Sequence, residues 1–176
     1  MIGRRGSAVV RASASVVAVL GAVAVWAAGL AGARTATPAR CVTPRLVVSF
    51  APNAGGAAAG SVFYELNFTN LSAHACTLAG YPGVSAVDLG GRRLGSPAGR
   101  NPQVPLRVMT LRPEDAATAV LQISQAANFP PGACHRVMAA GLRVYPPGAF
   151  RSKIVPFPFP ACSRGGPVYL YVQRVR

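Results

Sequence analysis

Six side chains could carry general acid or base catalysis. They are Glu65, Asp88, Glu114, Asp115, His74 and His135. Glu65 falls among the polar positions of an alternating stretch, and the other carboxylates fall at turns, where stabilising a turn is the simpler role. The chain also has no G-x-S-x-G nucleophile motif. We therefore expect no enzyme. The alternative, a secreted hydrolase or an enzyme inhibitor, would need Glu65 or Asp88 to converge with a histidine in a concave pocket.

The four cysteines could serve a metal or form disulfides. His74-Ala75-Cys76 and Cys134-His135 supply mixed nitrogen and sulfur ligands. Zinc sites usually bring their cysteines close in sequence, as C-x-x-C, and this chain has no such pair. We therefore expect no metal and no cofactor, but two disulfides among Cys41, Cys76, Cys134 and Cys162. Three pairings are possible, and we favour Cys41 with Cys76 and Cys134 with Cys162, since each pair joins the ends of one contiguous stretch.

The charge of the chain predicts an acidic partner. The chain has eighteen basic and four acidic residues, which gives a net charge of +14. Arg92, Arg93 and Arg100 lie in one segment and form our candidate anion-binding site, with solvated, scattered arginines as the alternative. The expected partner is an anionic cell-envelope polymer, a lipid surface or another exported protein, bound less tightly as salt rises. Nucleic acid is not expected, because no stacking motif interleaves with the charges.

Four aromatic residues set among prolines suggest a second binding surface. They are Tyr145, Phe150, Phe157 and Phe159. They could form a rigid apolar ledge for a partner or a sugar. The alternative is that these rings cover the open end of a folded domain.

The N-terminal segment predicts export. Met1 to Arg11 carries three arginines and no acid, Ala12 to Leu30 is free of charge, and Ala31-Gly32-Ala33 resembles a cleavage site. Residues 1–33 are therefore predicted to be a signal peptide and residues 34–40 a linker, which makes the protein secreted or extracytoplasmic. The alternative is an uncleaved membrane anchor, because the apolar run approaches the roughly 20 residues that a spanning helix needs.

Residues 41–176 read as a succession of short strands separated by turn signals. The strongest is 62–69, where Val62, Tyr64, Leu66 and Phe68 alternate with Phe63, Glu65, Asn67 and Thr69. Further strands are predicted at 45–50, 84–89, 92–94, 106–111, 117–124, 141–145, 152–155 and 168–175. For the strand at 117–124, a helix over 113–127 is the competing interpretation. Gly90-Gly91 predicts a two-residue hairpin turn. The run 156–160 is expected along a sheet edge, because three of its five residues are prolines and lack an amide donor.

This pattern favours an all-β fold. We predict an immunoglobulin-like antiparallel β-sandwich of roughly eight strands with two disulfides, preceded by the signal helix. The antibody arrangement of Cys, Trp and Cys is absent, since the one tryptophan is Trp26.

A set of ordered motifs also resembles a known family. The motifs are Tyr64 to Asn70 with Ser72 and Cys76, Gly80 to Ser85, Gly95 with Arg100, Cys134, Gly141 to Gly148, and Cys162. Together, over about residues 41 to 175, they resemble the secreted actinobacterial family called domain of unknown function 4232. The resemblance implies an exported, disulfide-bonded β-sandwich, often tethered to the envelope as a lipoprotein, and it supplies no activity and no catalytic residues. This chain departs from the tethered members, because Thr37 to Arg40 before Cys41 are not the small apolar residues of a lipid-attachment site.

Overall fold

The computed structural model describes residues 37–51 and 56–176, within a compact unit that begins at residue 36. The predicted signal peptide, residues 1–33, and the first part of the predicted linker lie outside the described residues. Within the described ranges, no helix is both long enough and apolar enough to cross a bilayer.

The described residues form an almost entirely β structure. The strands are β1 (Leu46–Ala51), β2 (Ala57–Ala58), β3 (Ser61–Asn70), β4 (Cys76–Leu78), β5 (Gly83–Val87), β6 (Arg93–Leu94), β7 (Gly99–Arg100), β8 (Met109–Leu111), β9 (Ala116–Ser124), β10 (Arg136–Tyr145), β11 (Lys153–Cys162) and β12 (Leu170–Val172). One short helix, α1 (Pro131–Cys134), and two 3-10 turns, Thr43–Arg45 and Ala126–Asn128, complete the fold. The strands make three sheets. A six-stranded sheet has the order β1-β3-β9-β12-β7 with β2 beside β3, a four-stranded sheet has the order β11-β10-β5-β6, and β4 pairs with β8.

Strand β3 is an interior strand of the six-stranded sheet. It pairs antiparallel with β1 on one side and with β9 on the other. Leu66 and Phe68 are fully buried and Asn67 between them is half-exposed, which is the predicted alternation, whereas Val62 and Tyr64 on the same face are only partly buried. In β9, Ala117, Ala119 and Leu121 are likewise fully buried. The strand interpretation of this stretch is therefore confirmed, and the competing helix over 113–127 is wrong.

The β5–β6 hairpin has a longer loop than predicted. Asp88 and Arg92 close the turn, with the Asp88 N–H donating to the Arg92 carbonyl at 3.0 Å. The loop therefore holds three residues, Leu89 to Gly91, and not the predicted Gly90-Gly91 alone. Gly91 has a φ of +73°, as a three-residue hairpin loop requires at its last position.

Strand β11 runs along the edge of the four-stranded sheet, as the proline pattern predicted. Pro156, Pro158 and Pro160 are exposed, whereas Phe159 between them is buried and Phe157 half-buried. Because the prolines recur every second residue, their missing amide donors all belong to the outer edge of the strand, where no ladder bond is lost.

Several expectations about strand bounds differ from the structure. Strand β8 covers Met109–Leu111 and not 106–111, and strand β4 was not predicted. Strand β7 lies within 96–105, which the sequence pattern left as loop, and it pairs in parallel with β12. Strand β10 begins at Arg136 and not at Gly141, with a register shift between Ala139 and Gly141. Strand β12 covers 170–172 and not 168–175. Just before this strand, Tyr169 is fully buried and Val168 is 37% exposed.

One hydrophobic core joins the sheets. The six-stranded sheet contributes residues such as Phe68 and Leu121, and the four-stranded sheet contributes residues such as Leu142 and Val144. Two disulfides border this core, Cys41–Cys76 and Cys134–Cys162. This is the pairing that the sequence analysis favoured. Two disulfides indicate an oxidising, extracytoplasmic environment.

Candidate functional site

The structure separates the three arginines of the predicted anion site. Arg92 lies in the β5–β6 turn, where its Nε donates to Asp88 Oδ2 at 2.8 Å. Arg93 lies on β6 in the four-stranded sheet, and Arg100 lies on β7 in the six-stranded sheet. The Arg100 guanidinium sits 5.4 Å from the centre of the Tyr81 ring. All three are exposed, but two of them already have a partner within the domain, and the anion site at these residues stays a prediction.

The four carboxylates are dispersed over the domain. Glu65 on β3 pairs with Arg176 at 3.2 Å, and Asp88 pairs with Arg92. Asp115 Oδ2 accepts the backbone N–H of Arg112 at 2.9 Å. Five clefts within residues 37–51 and 56–176 have no carboxylate in their linings.

The two histidines lie in different parts of the domain. His135 Nδ1 lies 3.3 Å from Ser163 Oγ beside α1. His74 lies in the loop before β4, where its carbonyl accepts bonds from Asn70 and Ser72. No hydrogen bond or ion pair joins a carboxylate to an imidazole within 37–51 and 56–176. The convergence that the hydrolase alternative requires is not found in this part of the chain.

Two titratable side chains have shifted pKa values, each for a visible reason. The pKa of the Asp88 carboxyl is lowered, first by the backbone N–H of Arg92 and next by its guanidinium. Burial raises the pKa of Tyr169 to about 12. Its hydroxyl donates to the Leu94 carbonyl at 3.3 Å. Both groups stabilise the fold locally, and neither opens into a cleft described here.

All four cysteines are oxidised in disulfides. They therefore supply no thiolate for the zinc alternative that His74-Ala75-Cys76 and Cys134-His135 suggested. In the part of the chain that the structure describes, three metal-ligating side chains do not come together anywhere.

A basic and apolar surface surrounds the first described residues, and we call it the Arg40 face. It comprises Arg40, Val42, Arg45, Phe150 and Arg151. Arg40, Val42, Phe150 and Arg151 line a cleft of about 470 Å³ together with the backbone around Pro44 and Gly148. Arg40 and Val42 also line a neighbouring cleft of about 230 Å³ with Arg45 and His74. Arg40 further lines a third cleft of about 200 Å³. Arg40 thus borders three concave surfaces.

The chain holds this surface together through local contacts. The Cys41–Cys76 disulfide ties the first described residues to β4, and the Cys41 N–H donates to the Thr77 carbonyl at 2.9 Å. Thr43 is buried, and its Oγ1 donates to the carbonyl of Arg151 at 3.0 Å. Two segments more than 100 residues apart in sequence are therefore fixed side by side.

Sequence reasoning missed the central residues of the Arg40 face. Arg40 ends the predicted linker and Arg45 begins a predicted strand, and neither position indicates a binding site. The favoured Cys41–Cys76 pairing was the one signal that places Arg40 near His74. No pattern in the sequence indicates that Arg151 joins them.

A fourth cleft is mostly apolar. Its volume is about 340 Å³, and its walls include Val62, Tyr64, Ile123 and Phe159. The 3-10 turn Ala126–Asn128 forms another wall. Arg136 fixes this wall, because its guanidinium donates to the carbonyls of three residues, Ala126, Ala127 and Phe129, at 3.2 to 3.4 Å.

The predicted aromatic ledge is divided between different places. Phe157 packs between Phe50 and Phe159, at ring-centre distances of 4.2 and 5.6 Å, and Phe50 stacks on Tyr64 at 4.6 Å. Phe159 belongs to the core, and Phe50, Tyr64 and Phe157 pack against it. The alternative interpretation, that the predicted set of rings covers an open end of the domain, stays a prediction. Tyr145 lies instead against Gly83, and Phe150 belongs to the Arg40 face.

Comparison with known proteins gives one family. The sequence model of the family described as domain of unknown function (DUF4232) matches residues 41–175. No curated protein and no solved structure matches the chain.

Proposed function

The chain belongs to the DUF4232 family, and we propose that it is an exported, non-catalytic module that binds an anionic partner at the cell envelope through the Arg40 face. The observation that carries this proposal is the convergence of Arg40, Arg45 and Arg151 around clefts without a lining carboxylate. Guanidinium groups in such a position attract phosphate or carboxylate groups of a ligand.

The overall charge supports an anionic partner. Fourteen basic residues lie in the described ranges, and two of them, Arg92 and Arg176, form ion pairs with carboxylates there. Most of the positive charge is therefore not neutralised within the domain. A surface with this excess raises the local concentration of anionic ligands and speeds their association.

The fold that we propose is an immunoglobulin-like β-sandwich. The six-stranded and four-stranded sheets share one core, which supports a face-to-face arrangement of the two. In such a fold the loops cluster at the ends of the sheets, and the Arg40 face is made of loops. A rigid scaffold that presents loops is a common basis for binding.

The dispersal of the carboxylates and histidines supports a non-catalytic role. Glu65 and Asp88 are engaged with arginines, and His74 and His135 have no carboxylate within hydrogen-bond distance in the ranges described. Export is supported by the two disulfides and by the predicted signal peptide at residues 1–33. An exported binding module therefore accounts for these features together.

Retention on purified cell-envelope fractions at increasing salt tests this function. The protein is residues 34–176, since the compact unit contains the whole core and both disulfides. We expect retention that falls as salt rises, because exposed charges are screened. The double variant Arg40→Ala/Arg151→Ala should lose retention.

A matched triple variant separates the two candidate sites. Arg92→Ala/Arg93→Ala/Arg100→Ala removes more charge than the double variant but leaves the Arg40 face intact, so it should retain more binding. If the wild type is not retained at any salt concentration, the proposed function is refuted. If only the triple variant loses retention, the site is the one first predicted from the sequence.

A further inference from the structure

We infer that the anionic partner of the Arg40 face is the headgroup layer of a phospholipid bilayer, into which the Phe150 side chain inserts. This inference rests on the proposed function and makes it more specific. It is drawn from the apolar residues of the face, from its charges and from the place where the chain enters the domain.

The apolar part of the face favours a lipid over a hydrophilic polymer. Phe150 is 98% exposed and Val42 is 57% exposed. Both border the same cleft as Arg40 and Arg151. An anionic polysaccharide or polyphosphate would leave a fully exposed phenyl ring in water. At a bilayer surface, the ring can lie among the upper acyl chains while the neighbouring guanidinium groups stay at the phosphates.

The loop that carries Phe150 is suited to insertion. It begins with Pro146 and Pro147, whose backbone φ angles are fixed by their rings. The Ala149 N–H donates to the Pro146 carbonyl at 2.9 Å, which closes a turn directly before Phe150. The residue after Phe150, Arg151, accepts a hydrogen bond at its carbonyl from the Thr43 hydroxyl. The ring is thus presented on a stiff support, so that insertion orders little additional backbone.

The charges of the face are complementary to anionic headgroups. Arg40, Arg45 and Arg151 are exposed and have no ion-pair partner among the described residues. The carboxylates at this end belong to the turn of Glu114 and Asp115, which bonds to the backbone of Asn70. They do not line the clefts of the face, so the positive charge there is not cancelled locally.

The chain enters the domain at this face. Arg40 is among the first described residues, and the uncharged stretch 12–30 lies a short distance before it in sequence. Seven linker residues, 34–40, span about 25 Å at most when fully extended. An uncleaved N-terminal segment, the alternative to a signal peptide, would tether the domain to the membrane through this linker. If the segment is cleaved, the arginines and Phe150 have to supply the attachment by themselves.

The test uses residues 34–176 and vesicles of two compositions. One is pure phosphatidylcholine, and the other contains about one third phosphatidylglycerol. We expect binding to the anionic vesicles in a sedimentation assay at low salt. An arginine near an anionic membrane contributes about fivefold to affinity, so Arg40→Ala/Arg151→Ala should weaken binding about 25-fold. Arg93→Ala/Arg100→Ala, which removes the same charge, should weaken it clearly less.

Insertion of the ring has a direct spectroscopic test. Residues 34–176 contain no tryptophan, since the single one is Trp26. Phe150→Trp therefore introduces one reporter, and its fluorescence should shift to shorter wavelength when anionic vesicles are added. Leu89→Trp is the matched control, because Leu89 is 97% exposed in a different loop, and its emission should not shift. Phe150→Ala should weaken vesicle binding about tenfold, and Leu89→Ala should not.

The outcomes separate this inference from the proposed function. Soluble polyphosphate is the competing anionic partner in the same assays. Binding to polyphosphate without binding to vesicles would overturn the lipid inference and leave the proposed function standing. Binding to neither would overturn both. The inference would also be overturned if Arg40→Ala/Arg151→Ala and Arg93→Ala/Arg100→Ala lost the same vesicle affinity. An unshifted emission spectrum of vesicle-bound Phe150→Trp protein would overturn it as well.

Discussion

Asn70 is the buried polar residue on which the loops behind the Arg40 face depend, and its replacement gives the sharpest test of the structure. It is fully buried at the end of β3. Its Nδ2 donates to the carbonyls of His74, Leu111 and Arg112 at 2.9 to 3.2 Å. Its Oδ1 accepts the N–H and the hydroxyl of Ser72 at 3.0 and 2.7 Å. One amide therefore joins β3 to the loop before β4 and to the turn after β8.

Asn70→Ala should lower the free energy of unfolding by about 3 to 4 kcal/mol. Each hydrogen bond contributes a net value of about 0.5 to 1.5 kcal/mol, and carbonyls left buried without a donor add a penalty. For a domain of this size the midpoint of thermal unfolding should fall by about 10 °C. Urea unfolding followed by circular dichroism measures the change. Asn67→Ala is the control, since Asn67 lies on the same strand, is half-exposed and makes no side-chain hydrogen bond within the described residues.

A second substitution at the same position tests the direction of the bonds. Asn70→Asp keeps the shape and the acceptor but replaces the donor group by an oxygen that faces three carbonyls. Burial should raise the pKa of the new carboxyl in the folded protein above its unfolded value of about 3.9. The variant should therefore be least stable relative to wild type at neutral pH, and it should recover as pH falls through the folded pKa. A loss below about 1 kcal/mol for Asn70→Ala, or no recovery of Asn70→Asp in acid, would refute this account.

Three further substitutions test other parts of the domain. Burial raises the pKa of Tyr169 to about 12, so the contribution of this tyrosine to stability is complete below about pH 10 and is lost as pH rises through about 12. Tyr169→Phe should therefore make the free energy of unfolding in urea less sensitive to pH between about 9 and 11.5. An unchanged pH dependence would contradict the raised pKa of Tyr169. Cys134→Ala/Cys162→Ala opens a loop with a sequence separation of 28 and should cost about 3 to 4 kcal/mol in non-reducing urea unfolding; a loss under about 1 kcal/mol would show that the bond adds little. Gly141→Ala places a methyl group against a backbone carbonyl of β11 and should lower the thermal midpoint by several degrees, whereas Gly132→Ala, which meets nothing within 4 Å, should leave it nearly unchanged.

The sequence predicted β3 and β9 better than the shortest strands, for a physical reason. Strands β3 and β9 each bury one face, so hydrophobic residues recur with a period of two over several positions. Strands β4 and β7 contain three and two residues, too few for any period to be recognised. Their pairing is decided by partners far away in sequence, Leu111 for Cys76 and Val172 for Arg100.

The Arg40 face could not be predicted from spacing, because it is assembled from segments 40–45 and 150–151 and shares a cleft with segment 70–76. Local composition shows arginines in each half of the chain but not which ones meet. A disulfide and the bond from Thr43 to the Arg151 carbonyl bring the segments together. By contrast, Arg92, Arg93 and Arg100 are close in sequence but belong to edge strands and a turn of two different sheets. Proximity along the chain was therefore a poor guide to proximity on the surface.

The sheet edges give an independent reason to look for binding at the loops. A β domain often binds an extended peptide by adding it to an exposed strand edge, which requires free amide donors. On β11, Pro156, Pro158 and Pro160 remove those donors along the outer edge. Strands β6 and β7 are two residues long and offer a partner almost no ladder. Of the edges in the described residues, β1 is the longest that keeps its donors, and its Phe50 ring packs against the ring of Phe157 on β11 at a ring-centre distance of 4.2 Å. Strand addition is thus poorly supported, and a partner is more readily bound by the exposed arginines and Phe150 of the loops.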